Sequence, residues 1–82
     1  MEKDAVFAKI KELMVSEFSL EADSVNLETQ LSDELQLDSL DMVDLILSIN
    51  DQQLLIEKID PALFKNARTV QDIVNALVPV WK

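Results

Sequence analysis

Ser39 is the residue of this sequence whose setting suggests chemistry. It stands in the string Leu35-Gln36-Leu37-Asp38-Ser39-Leu40-Asp41, where a long stretch without helical periodicity gives way to a strongly apolar segment. A hydroxyl in the first turn of a helix lies in solvent beside free backbone N–H groups and the positive end of the helix dipole, surroundings that tolerate an attached phosphodiester. The same hydroxyl cannot act as a nucleophile unaided, because that requires an adjacent base. The 82 residues contain no histidine and no cysteine, so no catalytic residue and no metal site are expected, and neither a disulfide nor a thiolate site staples the fold. Asp-Ser before an apolar helix is also an ordinary capping signal, so the string marks a site only together with its setting.

The elements that position Ser39 can be read from the apolar spacing. Val6, Phe7, Ile10, Leu13, Met14 and Phe18 recur at intervals of three and four, which predicts a first helix over Asp4 to Phe18. From Ser19 to Asp38 that period is lost, and Leu20, Val25, Leu27, Leu31 and Leu35 read as separate anchors of a long pinned loop, with Ser32 to Leu35 able to form a helical turn within it. A second helix is expected from Asp38 or Ser39 to about Gln52. Asp38 caps its free N–H groups and Asp41 adds negative charge to its first turn. Leu40, Met42, Val43, Leu45, Ile46, Leu47 and Ile49 cover well over half of this helix, leaving a narrow stripe of Asp41, Asp44, Ser48 and Asp51, so the helix is expected to be central.

A short third helix fits Asp60 as its cap and Pro61 at its first position, with Leu63 and Phe64 facing inward together with Ala67. The last helix opens at Thr69 with Asp72 three residues on, a relative of the capping box. It carries Val70, Ile73, Val74, Leu77 and Val78 on one face, and Pro79 stops it. Trp81 is either a packing anchor or part of an exposed tail. The expected fold is all-α: a small antiparallel four-helix bundle with a long loop between the first and second helices and a short third helix, forming one domain over residues 1–82. Domains of this size bury only about 60% of their unfolded surface, which leaves little room for an enclosed active site.

Net charge is -9, and every basic residue lies outside the stretch from Glu12 to Glu57, so the middle of the chain produces a field of one sign. Nucleic acid, which is held by neutralising phosphates, is excluded as a partner, and a protein with a basic surface is favoured. No apolar run is long enough to span a membrane and Met1-Glu2-Lys3-Asp4 does not open a signal peptide, so a cytoplasmic monomer is expected.

With these residues in view, the chain resembles the acyl carrier protein family, whose Asp-Ser-Leu motif is matched residue for residue by Asp38-Ser39-Leu40. Leu20, Val25, Leu31 and Leu35 fall at the family's loop anchors, Val43 and Leu47 at the core of its second helix, and Thr69-Val70-Gln71 at the opening of its last helix, so the likeness covers nearly the whole chain. The resemblance implies a 4'-phosphopantetheine arm on Ser39, attached from coenzyme A by a phosphopantetheinyl transferase with Mg²⁺, whose thiol carries acyl or aminoacyl groups as thioesters. That thiol belongs to the cofactor, which reconciles thioester chemistry with a chain lacking cysteine. It further implies that Asp41, Asp44 and Asp51 greet the basic docking surfaces of loading and transferring enzymes, and that Val43, Leu47, Ile59 and Phe64 are candidates to line an acyl pocket. The plainer reading of those four is core packing, in which the bulky Phe64 fills the space.

Two departures bear on the subfamily. Glycine usually stands two or three residues before the modified serine, whereas this chain has Gln36-Leu37. The segment Asp51 to Ile59 is about two residues longer than in carriers of fatty acid synthesis and lacks their usual Phe and Gly. Both favour a specialised lipid, polyketide or nonribosomal peptide pathway. The competing class is an acidic helical adaptor that binds a basic partner without a prosthetic group. An EF-hand is disfavoured because its loop needs a glycine and the chain has none.

Overall fold

The computed structural model describes residues 3–64 and 66–82, with the side chain of Leu63 excepted, so the expected inward face of Leu63 lies outside what is described. It is all-helical, with α1 over Lys3–Phe18, α2 over Ser39–Asp51 and α3 over Val70–Leu77. Three 3-10 turns, Ala22–Ser24, Pro61–Phe64 and Val78–Val80, complete the order. The apolar spacing explains the packing. Val6, Ile10, Leu13 and Met14 form the buried face of α1, Met42, Leu45, Ile46 and Ile49 that of α2, and Val70, Ile73, Val74 and Leu77 that of α3. α1 packs on α3 and on α2, and the turn Pro61–Phe64 lies against α2, so one core joins them all.

The short third helix is a single 3-10 turn. Asp60 starts it as expected, its Oδ1 accepting the Ala62 N–H at 2.9 Å. The chain is committed again at Thr69, whose side chain caps α3. At the other end of α3, Pro79 brings no N–H to continue the α-helix, and the chain tightens into Val78–Val80.

The two long connections are held by backbone pairing to other parts of the fold. In the first, Leu31 N–H donates to the Arg68 carbonyl (2.8 Å), while Val70 and Gln71 donate back to Thr29 (3.1 Å) and Leu27 (2.9 Å), fixing the loop to the start of α3. Thr29 is buried with its hydroxyl satisfied, accepting from Asn26 N–H (2.9 Å) and donating to the Ser24 carbonyl (3.1 Å). Ser32 to Leu35 does form a turn, closed by Glu34 and Leu35 N–H groups on the Gln30 carbonyl. In the second connection, Ile56 N–H donates to Val80 (2.7 Å) and Lys82 N–H to Leu54 (3.1 Å), so the C-terminal residues form a short bridge with the segment after α2. Trp81 is therefore a packing anchor, only 6% exposed.

Asn50 clamps this second connection from inside. Its side-chain amide donates to the Ile59 carbonyl (3.0 Å) and its Oδ1 accepts the Ile59 N–H (3.1 Å), reproducing a backbone pairing with a side chain. Asn50→Ala leaves both Ile59 groups unpaired in a half-buried position and is expected to lower stability by about 1–2 kcal/mol. Urea denaturation checks it, and a loss below a few tenths of that range would mean the segment closes without the clamp.

α3 opens with a full capping box: Thr69 Oγ1 accepts from Asp72 N–H (3.3 Å), and Asp72 Oδ2 accepts from the N–H groups of Thr69 (3.1 Å) and Arg68 (2.9 Å). The backbone N–H groups of Arg68 and Thr69, helped by the Thr69 hydroxyl and the nearby Arg68 charge, hold the Asp72 carboxyl below the usual carboxylate range against the opposing effect of burial. A depressed folded-state pKa stabilises the fold above the unfolded pKa, and the contribution is lost as pH falls through the folded value. Asp72→Asn is therefore expected to be less stable than the parent near about pH 7, with the gap closing toward about pH 3. Urea midpoints across that range measure it, and a constant gap would count against the ionised cap.

Candidate functional site

Asp38 ends the loop in an extended conformation and α2 begins at the next residue, so Ser39 occupies the first helical position. A reciprocal cap fixes this start: Asp38 Oδ1 accepts the Asp41 N–H at 3.0 Å, and Asp41 Oδ2 accepts the Asp38 N–H at 3.0 Å. The spacing between the two acids contained this box, yet Asp41 was expected only to add charge to the first turn. With these two N–H groups occupied, the N–H groups of Ser39 and Leu40 are the ones in this turn left for solvent or a bound anion. Ser39 itself is exposed.

The approach to the cap is just as constrained. Gln36 has φ 58, the left-handed region that favours glycine. It is flanked by the buried Leu35 and Leu37, and the bend is closed by Gln36 N–H on the Ser32 carbonyl (3.1 Å) and Leu37 N–H on the Leu31 carbonyl (2.8 Å). The path that a glycine would make cheap is thus adopted by glutamine. Ser19 and Gln53, just past the ends of α1 and α2, take φ 55 and 56 for the same purpose. Gln53 does so within a Schellman closure, with Gln53 N–H on Asn50 (3.1 Å) and Leu54 N–H on Ile49 (3.4 Å).

The outer face of α2 is not uniformly acidic. Leu40 is 72% exposed and Leu47 52% exposed, which corrects the expectation that the apolar residues around this helix are its buried surface. The buried residues Met42, Leu45, Ile46 and Ile49 form one stripe toward the core, and Leu40 and Leu47, seven apart, fall on the other side. At 3.6 residues per turn, Leu40, Asp44, Leu47 and Asp51 lie within about 60° of one another. They form a mixed stripe of leucine and aspartate. Asp44, Leu47 and Asp51 also line a cleft of about 580 Å³ with Glu17, Ser48 and Lys58. There Ser48 Oγ donates to Glu17 Oε1 at 2.6 Å, tying the end of α1 to α2.

The four candidate pocket residues are divided. Phe64, 2% exposed, lines a small cleft of about 190 Å³ beside Ser39, with Leu31, Leu37, Met42 and Ala67. Leu47 lines the acidic cleft instead, while Val43 and Ile59 are half-buried and line neither. Apolar spacing alone marked Met42 and Leu31 as core or anchor residues. It gave no sign that they flank Ser39, since that depends on how the loop folds back.

Comparison with known proteins now bears on this geometry. A family model described as a phosphopantetheine attachment site matches residues 8–77. The acyl carrier protein of Onion yellows phytoplasma is 39% identical over 69 residues, covering 84% of this chain and 88% of that protein. Those of Petrotoga mobilis and Coprothermobacter proteolyticus are each 34% identical over 77 residues, covering 94% of this chain and 88% and 92% of the relatives. The chain belongs to the acyl carrier protein family. It is a carrier and not an enzyme, its prosthetic group is phosphopantetheine, and its partners are a phosphopantetheinyl transferase and acyl-handling enzymes. No helix among the described residues is long and apolar enough to cross a membrane.

The site fits that group. An exposed hydroxyl beside two uncommitted N–H groups at a helix start can bear a phosphodiester, and the capping carboxylates of Asp38 and Asp41 are turned onto backbone N–H groups. Gln36→Gly is expected to raise stability by about 0.5–1 kcal/mol, the left-handed penalty relieved less the added freedom of the unfolded chain. The urea midpoint should rise with an unchanged slope, and a fall would mean that the glutamine side chain contributes contacts larger than the strain.

Proposed function

We propose that Ser39 is the attachment point of the phosphopantetheine arm and that the chain works as a monomeric, cytoplasmic carrier domain over residues 1–82. The observation that carries the reading is the placement of an exposed serine at the first position of a reciprocally capped helix, inside the stretch that matches the attachment-site family. The bound arm would supply a terminal thiol that holds acyl or aminoacyl cargo as a thioester. The chain's part is to present the Ser39 hydroxyl, keep Leu40 at the surface beside it, and fix both through the Asp38 cap. With no histidine in the chain, the base and the Mg²⁺ come from the transferase.

The mixed stripe on α2 is the surface offered to partners. Asp44 and Asp51 steer a basic enzyme toward the root of the arm, and Leu40 and Leu47 give that enzyme apolar area to cover. Asp41 shares in the field, but its carboxylate also starts the helix. Within the family, the long connection after α2, clamped by Asn50 and covered by Trp81, together with Gln36 in place of glycine, supports a dedicated lipid, polyketide or nonribosomal peptide pathway.

Intact mass spectrometry after incubation with coenzyme A, Mg²⁺ and a broad-specificity phosphopantetheinyl transferase tests the attachment. One added arm, lost in Ser39→Ala, is expected, and no addition to a folded sample would favour the acidic adaptor. In the same assay Asp44→Lys and Asp51→Lys, which leave the cap intact, should slow modification about three- to tenfold at low salt, with a weaker salt dependence than the parent. Equal rates at low salt would remove these acids from docking.

A further inference from the structure

The small cleft beside Ser39 does not end there. Ser32 and Ala67 line both it and a second cleft of about 440 Å³, which runs on to Gln30, Asp33, Arg68 and Thr69. Together they make one groove between the loop and the start of α3, open at one end to Ser39. We propose that this groove is the resting seat of the phosphopantetheine arm when no partner holds it. The inference rests on the reading of Ser39 as the attachment point.

Three features direct the arm this way. The groove is preformed, because its two walls are joined by the Leu31 N–H bond to the Arg68 carbonyl (2.8 Å) and by the bridge between Gln30 and Thr69. Its surface matches the chemistry of the arm, which carries geminal methyls, a hydroxyl and two amides: Met42, Phe64 and Ala67 give apolar contact, and Ser32, Gln30 and Thr69 give hydrogen-bonding groups. Helical geometry opens the direction too. At 3.6 residues per turn Met42 lies about 60° around α2 from Ser39, whereas the centre of the stripe of Leu40, Asp44, Leu47 and Asp51 lies about 110° away on the other side. Charge does not oppose it, since Asp33 and Arg68 balance one another along the groove, whereas the stripe presents the phosphodiester with two aspartates. Among the described residues the interior is closed, as Leu45, Ile46 and Ile49 are packed to at most 1% exposure.

The test is NMR of the isotope-labelled protein with and without the arm, attachment being established by intact mass. Expected are amide shifts at Ser32, Ala67 and Thr69, and cross-relaxation between the arm's methyls and the Phe64 ring. Ala67→Trp, which fills the groove, and the milder Ala67→Glu should both abolish these signals while Ser39 still gains the arm. If the arm is attached but shifts stop at Asp41, or cross-relaxation runs to Val43, Leu47 or Ile59, the groove is not its seat and the attachment reading stands. If no arm is gained by the folded parent, both fall together.

Discussion

The reciprocal hydrogen bonds between Asp38 and Asp41 set where α2 begins, and the rest of the site depends on that start. A helix turns about 100° per residue, so beginning one residue earlier or later would send Ser39 toward the core or across the acidic stripe. Either change would also move Met42, Leu45, Ile46 and Ile49 out of the core they share with α1 and α3. Cap and core thus specify the same register. Such agreement between local and global preference is what lets a small chain without cysteine hold a single structure.

The approach to that cap shows what the lack of glycine requires. Gln36, Ser19 and Gln53 each occupy left-handed backbone, at a cost of roughly 1–2 kcal/mol per residue. Burial of the flanking side chains offsets it at Gln36, since Leu35 and Leu37 are each worth about 1.5–3 kcal/mol when removed from water. The loop carrying them is in turn paired to the start of α3 through Leu31 and Arg68. Its length is tolerated because it behaves as packed structure, with Val25, Leu31, Leu35 and Leu37 all buried.

What could be read from the sequence was what is decided locally. The three α-helices follow from apolar spacing, the starts at Asp60 and Thr69 from capping chemistry, and Ser39 from its place at the junction of loop and helix. What could not be read depends on partners far along the chain. Asn50 looks like any polar residue near a helix end until Ile59 returns to it, and Trp81 is undecided until Leu54 and Ile56 pair with its neighbours. The short third helix follows from Asp60 and Pro61 too, and only its 3-10 form is not written in the spacing. Val43, Leu47, Ile59 and Phe64 were grouped by resemblance, and spacing alone does not tell that Phe64 lies beside Ser39 while Leu47 lines the cleft at the other end of α2.

α2 shows why periodicity overstated burial. Its apolar residues cover more of the circumference than α1, α3 and the turn Pro61–Phe64 can enclose, and Leu40 and Leu47 are the ones left in water. Keeping them there forgoes about 1.5–3 kcal/mol apiece that burial would contribute. The docking proposed for this face would give that exposed apolar area a use. Asp44 and Asp51 beside these leucines keep the face charged when it is free, which opposes association of like copies. A leucine offered beside an aspartate discriminates among partners as neither does alone, because an enzyme must bring both an apolar seat and a cation to cover it. With the arm on Ser39 as proposed, one position before Leu40, a partner that met that demand would arrive at the root of the arm.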